Sequence, residues 1–173
     1  AFPSQEARDK AWKAFFADPQ WQRAKKESEV DGRLVAKVES VLLSSTDYSP
    51  HIEPSVAAPR VFELRTYTAT PGNSGHLNAR FREHTVELFK KHGITNFGYG
   101  CPLEGQPGAG QTLIYILAHD SVDAARASFD AFRQDPAWIA ARKASEEKAG
   151  GPLTVKGGVK SLFLRATDYS PTR

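Results

Sequence analysis

With 173 residues, 40% of them apolar and 25% charged, the sequence describes one domain or two small ones, long enough to bury a core. Its net charge of +3 arises from 23 basic residues scattered among 20 acidic ones, without the basic stripe that nucleic acid or an anionic membrane would require. The single cysteine, Cys101, excludes an internal disulfide, no second Cys or paired His supplies metal-ligand spacing, and the longest apolar runs, such as residues 113–118, are far too short to span a bilayer.

The lone thiol fits a reducing compartment, so a cytoplasmic location is the expectation. No signal-peptide pattern opens the chain, yet it contains no methionine. A processed N-terminus is therefore expected, through loss of a leader or of an upstream domain.

In chain order, the first predicted element is a helical segment through Ala11-Trp12-Lys13-Ala14-Phe15-Phe16-Ala17, followed by Asp18-Pro19-Gln20-Trp21 and a charged helical stretch ending near Ser28. A Gly-containing loop leads to an apolar strand predicted over residues 34–44, and the segment closes on Thr46-Asp47-Tyr48-Ser49-Pro50. Residues 51–60, with two prolines, read as a linker.

Residues 61–68 alternate and are rich in β-formers, which predicts a strand. Pro71-Gly72-Asn73-Ser74 is a turn into a helix on which Leu77, Phe81, Leu88 and Phe89 keep helical spacing while Arg80, Arg82, Glu83, Glu87 and Lys90 face elsewhere. Gly93 is placed to cap that helix. Strands are predicted at about 94–101 and 111–118, joined by a Pro/Gly-rich loop. A helix interrupted near Asp135-Pro136 follows over 121–147, and a last strand over 158–166. The order β-α-β-β-α-β is the ferredoxin-like split βαβ of an α+β fold.

The chain carries an internal repeat. Residues 11–21 return as Ser128-Phe129-Asp130-Ala131-Phe132-Arg133-Gln134-Asp135-Pro136-Ala137-Trp138, and the first pentapeptide returns as Thr167-Asp168-Tyr169-Ser170-Pro171. The copies lie 117 residues apart at Asp18 and Asp135, and 121 apart at Thr46 and Thr167. Residues 1–50 therefore read as the C-terminal half of a first domain, and 61–171 as a complete second one. A four-stranded sheet with helices on one face leaves the other face uncovered, and two such sheets packed together would form a barrel, within one longer chain or between chains. A helix and one strand cannot bury their apolar faces alone, so the strand over 34–44 should pair with a sheet from a missing upstream half or from another copy.

Phe62-Glu63-Leu64-Arg65-Thr66-Tyr67-Thr68 with Pro71-Gly72, then Arg80-Phe81, His84-Thr85, Leu88-Phe89, Lys91-His92-Gly93-Ile94, Asp135-Pro136, Trp138 and the closing Thr167–Pro171 resemble the NIPSNAP family in order. The resemblance covers 61–171 and its back half again within 5–50. It implies a dimeric α+β barrel, an architecture shared with cofactor-free monooxygenases, haem-degrading enzymes and small binding proteins, and it implies little about reaction. Animal members are described around mitochondria and vesicle transport; bacterial members are largely uncharacterised.

Glu63, Arg65 and Tyr67 share one face of their strand. If Phe62 and Leu64 face the helices, the three point into the barrel, where they could orient an acidic or carbonyl ligand, with Glu63 as a base if burial raises its pKa; the alternative is a structural ion pair. His84, between Phe81 and Leu88, is either a core histidine or a proton shuttle or haem ligand. His92 is expected on helix-end carbonyls, and His76 and His119 at the surface. Phe97, Tyr99 and Tyr115 could line a pocket for a flat substrate or simply pack the sheet. Trp21 and Trp138 are expected to anchor the second helix to the sheet. No phosphate loop, dinucleotide fingerprint, zinc signature or nucleophile elbow is present, and no cofactor is indicated. Two functions remain open: a NIPSNAP-type binding or assembly protein, self-associating or completed by an upstream half, whose barrel holds a small molecule or simply closes a dimer, and a cofactor-independent oxygenase or isomerase. Whether the chain is an enzyme is not decided by its sequence.

Overall fold

The computed structural model describes residues 1–51 and 60–172, so most of the linker read over 51–60 lies outside the described residues. The chain divides into two compact units, Ala1–Ser40 and Val41–Arg173. Among the described residues no helix is long and apolar enough to cross a membrane.

In the first unit, α1 (Gln5–Ala17) starts where the Ser4 hydroxyl accepts from the Ala7 amide. The Asp18 carboxylate accepts from the Gln20 and Trp21 amides at 2.7 and 3.1 Å, opening α2 (Pro19–Ser28). Proline is suited to that first helical position because its missing N–H would have had no partner there. Trp12 packs on Phe15 and Phe16, and Phe15 on Trp21, yet neither helix buries a residue.

The second unit is a five-stranded antiparallel open sheet in the order β1-β3-β4-β2-β5. Its elements are β1 (Leu43–Ser45), β2 (Val61–Ala69), β3 (Thr95–Pro102), β4 (Thr112–His119) and β5 (Thr154–Arg165). Between β2 and β3 run α3 (Ser74–Arg80), a π-helical turn at Phe81–Thr85, and α4 (Val86–Lys91). Gly93, at φ +71°, closes the last turn as a C-cap. Between β4 and β5 lie α5 (Val122–Gln134) and α6 (Pro136–Lys148). The predicted β-α-β-β-α-β unit is present, with the sheet not closed into a barrel.

The strand expected over 34–44 is cut to Leu43–Ser45, which pairs with the β3 edge of the same chain, Ser44 opposite Cys101. The physical reason lies in the repeat. β5 is ordered along its length by β2, whereas among the described residues no strand lies beside residues 34–42, which gain no ladder. Thr46–Ser49 then dock beside β3. The Thr46 amide donates to the Tyr99 carbonyl, the Tyr99 amide to the Ser49 hydroxyl, and the Tyr48 hydroxyl to Asn78 Oδ1 at 2.6 Å. Arg82 grips Asp47 with two bonds of 2.6 and 2.7 Å.

The core lies between the sheet and its helices. Leu77, Phe81, Phe89, Phe129 and Phe132 come from the helices, and Tyr99, Leu113, Tyr115 and Leu117 from the strands. The other face of the sheet carries Leu43, Phe62, Leu64, Phe97, Ile114, Ile116, Leu162 and Leu164, as the register places them. Among the described residues of this unit no helix covers it; Leu162 is 57% and Leu164 39% exposed.

Candidate functional site

Alternation along β2 puts Glu63, Arg65 and Tyr67 on one face, as expected, but that face is the reverse of the one anticipated. Cross-strand partners fix this: Glu63 lies opposite Leu117, Arg65 opposite Tyr115 and Tyr67 opposite Leu113, all on the helix side. Phe62 and Leu64 go to the open face beside Ile116 and Phe97. The polar triple can sit beneath the helices because its members satisfy one another. Arg65 Nη1 donates to Glu63 at 2.5 Å, Nε to the Tyr115 hydroxyl at 3.0 Å and Nη2 to the Tyr67 hydroxyl at 3.2 Å. Its guanidinium also lies over the Phe129 ring, 4.5 Å from the centroid.

Glu63 is only 2% exposed and has two further partners, the Ser161 hydroxyl at 2.5 Å and His119 Nε2 at 3.1 Å. Burial alone would raise its pKa. The hydrogen bonds from His119 and Ser161 and the charge of Arg65 outweigh burial and hold the carboxyl below its ordinary value. A carboxylate held ionised by three donors is a weak proton acceptor, so the condition set for Glu63 as a base is not met. Arg65 is desolvated, but Tyr115, Tyr67 and Glu63 together push its pKa up and keep it charged. Burial and the neighbouring Tyr67 drive Tyr115 well above the usual phenol range.

The other expected residues scatter. Tyr99 and Tyr115 stack 5.0 Å apart on the helix side and Phe97 meets Phe62 on the opposite face, yet all three border one depression of ≈ 220 Å³ together with Leu64, Ile114 and Ile116. His84 is exposed, its side chain accessible at 47%. The π-turn accounts for this: its extra residue rotates the following helix, so Thr85 and Val86 turn inward and His84 outward. His119, expected at the surface, is buried at 4% because it ends β4 beneath Phe129 and Phe163. His92 bonds Asp135 Oδ2 at 2.7 Å instead of helix-end carbonyls. Trp138 packs on Phe132 and under Arg80, against the core between sheet and helices. His76 is half-buried. Among the described residues no three of His, Cys, Asp and Glu are grouped to hold a metal ion.

Sequence reasoning missed Arg80, which it had turned outward. Arg80 is buried at 6% and lines a cavity of ≈ 420 Å³ between sheet and helices, together with Arg65, Tyr67, Phe129, Trp138 and Glu146. One signal was present: Arg80 follows Leu77 by three, on the inward face of the helix.

The two copies of the repeat share local geometry. Asp18 and Asp135 cap with φ, ψ of −65°, 123° and −64°, 123°, and the Phe15–Trp21 and Phe132–Trp138 ring centroids are 4.6 and 4.5 Å apart. They differ in surroundings: Asp135 is buried with Lys91 and His92, and Asp18 is exposed.

Solved structures similar in fold to this chain include NIPSNAP proteins. A NIPSNAP family protein of unknown function from Agrobacterium tumefaciens is 19% identical, with a TM-score of 0.53 over 66% of this chain and 95% of that one. A second Agrobacterium tumefaciens NIPSNAP family protein is 20% identical, TM-score 0.53, over 66% and 99%. An uncharacterized NIPSNAP-like domain protein from Burkholderia xenovorans is 14% identical, TM-score 0.53, over 65% and 89%. No curated protein matches the chain. The sequence matches the NIPSNAP family over residues 1–50 and 62–171, in both segments that share the Asp-Pro-capped helix pair, and the chain belongs to that family.

Proposed function

We propose that the chain is a NIPSNAP-type assembly module whose open sheet face closes against the same face of a second copy, forming the two-sheet barrel of the resemblance. The observation that carries this is the composition of the uncovered face. The half-buried Leu64, Phe97, Ile114 and Ile116 and the exposed Leu162 and Leu164 form a continuous apolar surface around the buried Phe62, across β2, β3, β4 and β5. A monomer rarely leaves so much contiguous apolar surface to water. Like-to-like packing suits it, because a two-fold interface must be self-complementary and the apolar side chains outnumber the charge of Lys160, which the register places on this face opposite Thr66. The tandem organisation, with a half-domain at 1–50 followed by a complete domain at 61–171, belongs to the same reading. Its support is the shared cap and ring geometry of the two copies.

The test is molar mass by light scattering. The wild type should run at twice the chain's 19.0 kDa. Ile116→Asp places a charge in the centre of the face and should give the monomer with unchanged circular dichroism. A wild type that is monomeric at micromolar concentration, or an Ile116→Asp variant that stays dimeric, would overturn the assignment.

A further inference from the structure

We infer that the cavity between the sheet and the helices is a binding site for a small monocarboxylate with an aromatic or aliphatic body. Arg65 is neutralised by Glu63, and Arg133 at the rim is paired with Asp130. That leaves two guanidiniums, Arg80 and Arg142, sharing one carboxylate. Glu146 lies 3.7 Å from Arg80 Nη1 and 3.4 Å from Arg142 Nε. One positive charge is left over, and it falls on the buried member, Arg80.

Hydrogen bonding points to the same residue. Arg80 Nε and Nη1 are buried and make no hydrogen bond, although the side chain is only 6% exposed. Buried donors are nearly always satisfied, and those of a charged group most of all. Burial also lowers the Arg80 pKa, with Glu146 compensating only in part. An anion reaching Arg80 would supply the missing acceptor and the missing charge together. The π-turn that follows Arg80 belongs to the same construction. Local π-helical geometry recurs at functional sites, and here the Thr85 hydroxyl bonds the Arg80 carbonyl at 3.2 Å across it.

The walls select the rest of the ligand. Trp138 lies under the Arg80 guanidinium at 5.1 Å, and Phe129 and Phe132 line the same space. A cavity of ≈ 420 Å³ falls within the range that takes a small organic molecule. A single surplus charge in aromatic walls matches a monocarboxylate better than a phosphate dianion, which would reverse the charge of the site. This site lies on the helix side of the sheet, so it is independent of the assembly proposed for the open face.

Benzoate is the probe, with benzamide as its neutral counterpart of similar size and inorganic phosphate as the competing anion. Binding is read from the Trp138 indole resonance in heteronuclear NMR titrations, assigned with a Trp138→Phe variant. Benzoate should shift that resonance saturably and bind at least about tenfold tighter than benzamide or phosphate, the factor expected for one charged hydrogen bond. Arg80→Gln should abolish the difference. Because a buried arginine can be needed for folding, Glu146→Gln supplies a test in the opposite direction. Removing the carboxylate that shares Arg80 should tighten benzoate by several-fold without affecting benzamide. Benzoate binding no tighter than benzamide, or Glu146→Gln leaving benzoate unchanged, would overturn the assignment.

Discussion

Replacing Glu63 by Gln tests the buried polar cluster with almost no change of volume, so no cavity term enters. The carboxylate receives three donors: Arg65 and Ser161 at 2.5 Å each and His119 at 3.1 Å. A carboxamide has one acceptor oxygen, and its own N–H groups would face at least one of those donors. It also leaves the Arg65 charge uncompensated in a side chain only 13% exposed. Breaking a buried pair in this way costs about 3–5 kcal/mol. Because Arg65 retains the Tyr67 and Tyr115 hydroxyls, the low end, about 3 kcal/mol, is expected. At about 2–4 °C per kcal/mol, that is a fall in Tm of about 10 °C. The folded-state pKa of Glu63 is depressed, so its stabilisation is complete above the ordinary value of 4.5 and disappears as pH falls through the folded value. Urea unfolding followed by far-ultraviolet circular dichroism should therefore show a wide gap between wild type and variant at pH 7, and a narrower one at pH 3, with m unchanged. A loss below about 1 kcal/mol at pH 7, or a gap that does not close in acid, would refute the assignment of Glu63 as the ionised centre of the cluster.

Two further tests use the repeat and its docked pentapeptide. Asp135→Ala should destabilise the chain by clearly more than the ~1 kcal/mol of an ordinary cap, because Asp135 also receives Lys91 and His92 at 2.6 and 2.7 Å, whereas Asp18→Ala, at the exposed equivalent, should cost about 1 kcal/mol or less. Urea midpoints of the two variants, measured side by side, check this; equal losses would contradict it. Arg82→Ala removes an exposed bidentate contact to Asp47 and should lower the urea midpoint only slightly, by still less in 1 M salt. Amide exchange at Thr46 and Tyr99, whose bonds tie the pentapeptide to β3, should accelerate in that variant while core amides such as Leu117 stay protected.

The sequence carried the element order well, because alternation over 61–68, the Asp-Pro caps and the Gly93 stop each have a local physical cause. What it could not carry were decisions made by partners. Alternation shows that Glu63, Arg65 and Tyr67 share a face, but which face meets the helices depends on Tyr115 and Leu117 across the strand. The π-turn at Phe81–Thr85 has no residue signature; it displaced His84 to the surface and put Thr85 and Val86 inside. Ser161 lies on β5, far along the chain from Glu63, and only the ladder brings the two together. The first copy's strand looked like its counterpart in β5 and still failed to form over 34–42, since strand formation depends on a neighbour as much as on the residues themselves.

The three residues of β1 have a consequence for how copies of this chain can join through their backbones. With Leu43–Ser45 laid along part of β3, one margin of the sheet already has a strand bonded to its C-terminal end, Gly100–Pro102, and the pentapeptide secures the stretch beside it. The opposite margin, β5, offers twelve residues whose only ladder among the described residues is to β2. Strand addition therefore has one long available edge, and two chains that join by it must do so β5 to β5, a pairing that uses up both edges and closes on itself. A fibre would need two free margins on every subunit; shortening β1 would supply the second, turning a module limited to pairs into one able to polymerise.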